Sequence, residues 1–231
     1  MVMETKYRHE LKYLVTTAQI TILKSRIGGL IPIDPHTGES GRYNISSLYF
    51  DDYYNRCFYE NENGTDPREK FRIRIYNHSC ERIALELKRK ECGKTFKQSV
   101  LLPADKVRSI INGEHASDIE NQPALLQRLS LGIEQYLLHP VVIVEYDRYP
   151  YIYRNGNVRI TFDTNVSSSS FTYDFLMGTY PKRPIMPTGL QLMEVKYDEY
   201  LPDFIYKALQ LENLQQTAYS KYYLCRKYAI K

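Results

Sequence analysis

In the segment KFRIRIY, Lys70, Arg72 and Arg74 alternate with Phe71, Ile73 and Ile75. A β-strand has period two, so it puts the three cations on one face and the three apolar side chains on the other. The same division recurs along the chain. ERIALELKRK sets Glu86, Lys88 and Lys90 against Ile83, Leu85 and Leu87, and VRITFDT sets Arg159, Thr161 and Asp163 against Val158, Ile160 and Phe162. YRHELKYL carries Arg8, Glu10 and Lys12 on one face; KTFKQSV adds Lys97, EYDRY adds Arg148, and LMEVKY adds Glu194 and Lys196. Two cations about 6 Å apart repel by roughly 2–3 kcal/mol at an effective dielectric near 20. A sheet that curls so many of them inward needs an anion in the space it encloses. A chain of phosphates suits it, because each phosphate takes its own charge-assisted contacts.

Other chemistries lack their motifs. Gly93-Lys94-Thr95 looks like the end of a phosphate-binding loop, but Lys88 stands where the leading glycine belongs, and the flanking order is strand–turn–strand. No G-x-G-x-x-G, H-E-x-x-H or G-x-S-x-G occurs. His9, His36, His78, His115 and His139 have no metal spacing and are read as surface or packing residues. If the chain is an enzyme, it works by positioning and charge neutralisation, the needs of phosphoryl transfer.

The elements that must hold these residues follow from pattern and punctuation. Strands are expected at 6–15, 45–51, 70–76, 81–90, 94–100, 140–153, 158–164 and 189–197. Helices are expected from Thr16 or Thr17 to Gly28, after Pro103 as far as Gly113, over 122–138, and around 202–213 and 217–229. Residues 61–69 read as a turn or loop, and VSSSSFTYDFLMG as turn-rich. Helices would cover the outward apolar faces, giving one α+β domain over residues 1–231, an inside-out barrel with a polar, cationic lumen.

The 231 residues include 22 tyrosines and no tryptophan, and 31 basic against 27 acidic residues leave a net charge of only +4. Any basic field is therefore local, and cations on curling strands do not form the exposed stripe that nucleic acid binding uses. Cys57, Cys80, Cys92 and Cys225 form no C-x-x-C pair, which fits a reducing compartment. The charged N-terminus is no signal peptide and no apolar run reaches membrane-spanning length, so a soluble, cytoplasmic protein is expected.

Nine short motifs occur in a telling order: Glu10-Leu-Lys12-Tyr13, Ser47-Leu-Tyr-Phe-Asp51, Lys70-x-Arg72-x-Arg74, Glu86-Leu-Lys88, Lys97, Tyr146-x-Arg148, Arg159-x-Thr-x-Asp163, Glu194-Val-Lys196 and Ser220-Lys221-Tyr222. Together they resemble the VTC domain, the polyphosphate polymerase domain of vacuolar transporter chaperone proteins and their stand-alone bacterial relatives. The resemblance covers nearly the whole chain. It implies the eight-stranded antiparallel tunnel of the triphosphate tunnel metalloenzymes. A nucleoside triphosphate such as ATP would enter that tunnel and pass its γ-phosphate to a growing inorganic polyphosphate, with Mn²⁺ or Mg²⁺ bridging phosphates. Carried over by position, Lys12, Arg72, Arg74, Lys88, Lys97, Arg148, Arg159, Lys196, Ser220 and Lys221 bind phosphate. Arg72, Arg74, Lys88, Arg148 and Arg159 serve the transfer itself, and Glu194 holds the metal with Glu10 in a lesser role. Lys70, at the strand entrance, edges the tunnel mouth.

The chain departs from the pattern twice. The superfamily's opening Glu-x-Glu-x-Lys stands here as Arg8-x-Glu10-x-Lys12, which puts more weight on Glu194. A lysine found in relatives three residues before Lys221 is Ala218. The regulatory SPX domain and membrane helices of the eukaryotic relatives are not in the sequence, so coupling to transport would require a separate membrane-protein partner. Two alternatives to polymerisation stay open: a tunnel triphosphatase, and a non-catalytic polyphosphate-binding module.

Overall fold

The computed structural model describes residues 7–114, 121–211 and 214–227. Eight antiparallel strands form one curled sheet: β1 (His9–Thr16), β2 (Tyr43–Asp51), β3 (Arg68–Tyr76), β4 (Ser79–Glu91), β5 (Lys94–Leu102), β6 (His139–Tyr153), β7 (Val158–Ser169) and β9 (Leu190–Tyr197). They lie in the order β1-β9-β7-β6-β2-β3-β4-β5, and a two-residue strand, β8 (Arg183–Pro184), pairs with β7 alone. The outer edges β1 and β5 meet at one bridge, where Arg8 and Thr95 exchange two backbone hydrogen bonds of 3.0 Å. Farther along β1, Tyr13 bridges Gln216, and the Thr217 N–H donates to the Lys12 carbonyl at 2.8 Å. The chain just before the last helix thus lies along the free edge of β1.

Local signals place the elements. Helix α1 (Thr17–Gly28) starts on a capping box, in which the Gln19 N–H donates to Thr16 Oγ1 and the Thr16 N–H to Gln19 Oε1. Its Ile20, Leu23 and Ile27 face the sheet. The β4–β5 turn uses Cys92 at φ 48° and Gly93 at φ 74°, two positive-φ residues that match the twist of a two-residue hairpin. Helices α3 (Ala104–Ile111) and α4 (Ala124–Tyr136) cover Ile73, Leu85 and Leu87 on the convex face. Helices α1 and α5 (Asp203–Leu209) cover Ile160, Phe162 and Val195 on the same face. The outward apolar half of each strand is therefore the core, as the period-two pattern requires.

Three features differ from the sequence expectation. Helix α2 (Arg56–Glu62) fills a stretch that carries no helical periodicity, and it continues into the expected turn. Buried Asp51 holds its first turn, accepting from the backbone N–H groups of Cys57 at 2.8 Å and Phe58 at 3.2 Å. Strand β7 runs on to Ser169 through a register shift against β6 between Glu145 and Asp147, with Asn165 at φ 56°. That bulge bends the strand and makes a serine-rich run sheet-forming where its composition suggests a turn. Helix α6 (Lys221–Lys227) packs on the concave face rather than outside. Its Tyr222 and Cys225 meet Ile45, Val142, Val144 and Val166, so this part of the lumen is apolar, not cationic. Residues 212–213 and 228–229 of the expected last helices, and His115, lie outside the described residues.

Candidate phosphate-binding lumen

The ladders bring the expected cations to one face. In register, Arg72 pairs with Tyr49 and Glu86, Lys88 with Lys97, Lys12 with Glu194, and Lys196 with both Glu10 and Arg159. All of these side chains point opposite to the apolar positions packed under the helices. The concave face thus gathers Lys12, Arg72, Arg74, Lys88, Lys97, Arg148, Lys196 and Lys221 around Glu10, Glu86, Asp163 and Glu194, eight cations to four carboxylates among the described residues, with Arg159 beside them on Asp34.

Each carboxylate collects several cations. Glu86, 2% exposed, takes Arg72 at 2.7 Å, Lys97 at 3.0 Å and Arg74 at 3.7 Å. Asp163 receives a two-pronged grip from Arg148, with Nε and Nη2 both at 2.7 Å, while Lys221 Nζ lies 2.5 Å away. Glu194 takes Lys221 at 2.7 Å, Lys196 at 3.3 Å and Arg148 at 3.4 Å. Glu10 takes Lys88 at 2.8 Å and Lys12 at 3.2 Å, and it accepts from Thr95 Oγ1. Arg159 stands apart, donating to Asp34 at 3.0 Å and to the Tyr43 hydroxyl.

These pairs move the titrations in opposite directions. Burial opposes the charge on Glu194, but Lys221, Lys196, Lys12 and Arg148 overcome it and hold the carboxyl well below its ordinary value. Glu10 is likewise held well below, burial being outweighed by Lys12, Lys88 and Lys196. Glu86 is depressed against burial by Arg72, Arg74 and Lys97. Lys88 drops to about 8, because burial and the nearby Lys12 and Lys196 outweigh Glu10. Lys70 drops to about 7, chiefly through burial.

Lys70, expected to edge the tunnel mouth, lies at one end of the barrel. Its amine donates to Asn61 of α2 at 2.8 Å and sits 4.5 Å from the Tyr222 ring centroid, beneath the α2–α6 end of the barrel. Ser220 uses its hydroxyl as a helix cap, accepting from the Tyr223 N–H at 3.3 Å. Lys12 spends one donor on the Tyr219 carbonyl at 2.6 Å, tying β1 to the entry of α6.

Residues given no role by the sequence also line the face. The Tyr49 hydroxyl accepts from Arg72 at 2.9 Å, and Ser47 Oγ accepts from Arg74 at 3.1 Å. Asp34 anchors Arg159, and Asp163 is the most enclosed carboxylate of the four. Asp163 was visible through its spacing from Arg159. Tyr49 and Ser47 were not, because β2 is buried on both faces and shows no alternation.

The tunnel fold implies a divalent metal, and the donor set shows what kind of site this chain could offer. Among the described residues, no three His, Cys, Asp or Glu side chains converge as ligands. Glu194 and Asp163 both approach Lys221, and Thr161, paired in register with Glu194, has a buried hydroxyl with no hydrogen-bond partner among the described residues. One or two carboxylates fit a Mg²⁺-like ion that arrives with phosphate oxygens and keeps waters, not an ion caged by protein alone.

A curled antiparallel sheet with a cation-rich concave face is the architecture of triphosphate tunnel proteins. A proposed adenylyl cyclase from Hippeastrum, described as having a dominant triphosphatase activity, shares the fold at TM-score 0.54 and 12% identity, over 97% of this chain and 96% of that one. A proposed adenylate cyclase from Bacillus halodurans aligns at TM-score 0.49 and 15% identity, over 88% of this chain and 87% of that one. Comparison with curated proteins finds no match. The family model for the VTC domain matches residues 7–230, and the chain belongs to that family.

Proposed function

We propose that this protein is a polyphosphate polymerase, with residues 1–231 acting as one tunnel domain. It would transfer the γ-phosphate of a nucleoside triphosphate, ATP first among candidates, to the end of an inorganic polyphosphate chain. The observation that carries this reading is the excess of cations over carboxylates on a concave face. With no polyanion bound, the carboxylates hold the cations in place. A phosphate chain offers them more oxygens, and Glu86 would then give up part of its hold on Arg72, Arg74 and Lys97.

In that reaction a terminal oxygen of the acceptor chain attacks the γ-phosphorus, and the bond to the β-phosphate bridging oxygen breaks, releasing the nucleoside diphosphate. Arg72, Arg74 and Arg148 would grip non-bridging oxygens through paired N–H donors, while Lys12, Lys88, Lys97, Lys196 and Lys221 act as movable point charges. Arg159, tethered through Asp34, would take the phosphate nearest that end. Glu194, with Asp163 beside it, would hold Mn²⁺ or Mg²⁺, and the ion would supply positive charge to the phosphate oxygens.

A triphosphatase reading is favoured by one specific observation. Helix α6 occupies the concave side of β2, β6 and β7, room that a threaded chain would use and a short triphosphate would not need. Incubation with ATP and Mn²⁺ separates the readings. Long-chain product supports the polymerase, and orthophosphate as sole product supports the hydrolase. Tight polyphosphate binding with no turnover under several metals would leave a binding module. No role in nucleic acid binding is proposed, and coupling to transport would fall to a separate membrane protein. Among the described residues, no helix is long and apolar enough to cross a membrane.

A further inference from the structure

A second cavity lies on the opposite face of β3 from the lumen. It has a volume of about 480 Å³, within the range of small-molecule sites, and is bounded by α2, α4 and the start of β3. Its floor is apolar, with Phe71 from the sheet, backed by the buried Phe50, and Leu138 after α4. Four guanidiniums, from Arg56, Arg68, Arg89 and Arg128, line it against the two carboxylates of Glu60 and Glu69. A shallower lobe of about 210 Å³ continues past Arg89 and Arg128 to the rings of Tyr7 and Phe96.

The arginines are held but not saturated. Arg56 lies 4.8 Å from the Tyr136 ring centroid and pairs with Asp52 at 3.2 Å, while half of its side chain remains exposed (50%). Arg128 and Arg89 share Glu69, and Arg89 also forks onto Glu91. Arg68 has no carboxylate within ion-pair distance among the described residues; its Nη1 donates to the Thr65 carbonyl at 2.7 Å. A guanidinium presents five N–H donors, so each of these groups has some to spare. An apolar floor, an arginine already close to a ring face, and an unneutralised guanidinium on the wall form a constellation. It suits an anion attached to a planar ring.

We propose that this outer groove binds a small phosphorylated ligand bearing a flat ring, a nucleoside monophosphate in chemical class, independently of the lumen. The ring would lie on the Phe71 side of the floor, near Tyr136. The phosphate would be held by Arg68 and Arg128. A bound ligand would also brace α2, whose Asn55 and Glu62 hold Arg226 and Tyr223 of α6.

Calorimetric titration of the full chain with AMP, ribose 5-phosphate and inorganic phosphate tests the assignment. Saturable AMP binding is expected, weakened about tenfold or more by Arg68→Gln and by Arg128→Gln, as loss of a charged hydrogen bond requires. Arg74→Gln, in the lumen, should leave it unchanged. Melting curves of each variant establish that it is folded, and Arg68→Lys should retain part of the affinity. No saturable AMP binding would overturn the proposal, as would binding lost in Arg74→Gln but kept in Arg68→Gln. Inorganic phosphate or ribose 5-phosphate binding as tightly as AMP would overturn the assignment of a ring-bearing ligand. None of these outcomes depends on whether the lumen polymerises phosphate.

Discussion

Lys221 and Glu194 are locked together across the lumen, Nζ to Oε1 at 2.7 Å, with both side chains buried. The pair joins the first residue of α6 to the middle of β9, and the same amine reaches Asp163 on β7. One lysine therefore seats the last helix on the concave face and bridges two carboxylates.

Lys221→Met should remove that seat. Asp163 keeps Arg148 and Glu194 keeps Lys196, so the loss falls near the lower end for a broken buried pair, about 3 kcal/mol. Denaturant unfolding of the ligand-free protein measures it. An unchanged midpoint would mean that α6 is held by its apolar contacts alone.

Glu86→Gln separates folding from binding. The carboxylate is 2% exposed and sits among Arg72, Arg74 and Lys97, so its loss leaves three cations repelling one another. The variant should lose about 3 kcal/mol of stability yet bind tripolyphosphate more tightly, since the anion no longer competes with an internal carboxylate. Because Glu86 is depressed in the fold, its stabilisation is fully present above the ordinary carboxylate value and disappears as pH falls below it. The variant should therefore show a shallower acid limb in a stability-versus-pH curve. Weaker tripolyphosphate binding by Glu86→Gln would contradict the view that Glu86 holds the place of a phosphate.

Much of this was legible because alternation is a strong signal wherever one face is charged. Arg72, Arg74, Glu86, Lys88 and Lys196 occupy the face that period two assigns them. The signal fails where both faces are apolar. Nothing in ISSLYFD tells Tyr49 and Ser47, which line the lumen, from Leu48 and Phe50, which pack under helices. Helix α2 escaped for a related reason: its start is fixed by Asp51, a contact from the preceding strand end rather than a feature of helical periodicity. The inward seat of α6 depends on where the chain crosses the β1 edge, and no local pattern encodes that.

Lys70 should give binding and stability opposite pH dependences. Half-buried beside α6 and α2, it loses its proton near pH 7 in the fold, while an unfolded lysine keeps it to about 10.4. The unfolded chain binds more protons over that window, so the ligand-free protein gains stability as pH rises through it. Polyanion affinity should fall over the same range, because a positive charge at the α2–α6 end of the barrel is lost. Lys70→Met should make both curves shallower, leaving the part that Lys88, depressed to about 8, contributes. Parallel pH curves for the variant and the natural protein would show that Lys70 does not titrate there.

Glu194→Gln tests where a metal meets this chain. If the ion arrives with the phosphates and touches the protein through this carboxylate, the variant should still bind tripolyphosphate without metal. Its partners Lys221, Lys196 and Arg148 remain, and the lumen is one negative charge poorer. The variant should lose the added affinity that Mn²⁺ confers on the natural protein, and the Mn²⁺ resonance signal of the ternary mixture should resemble that of the metal with tripolyphosphate alone. Retention of the full metal effect would move the ligand elsewhere. Asp163 is then the next carboxylate to test, since it shares Lys221 with Glu194 and lies beside the unpartnered Thr161 hydroxyl's strand position. Both measurements are made without turnover, so they stand whether the protein builds polyphosphate or hydrolyses it.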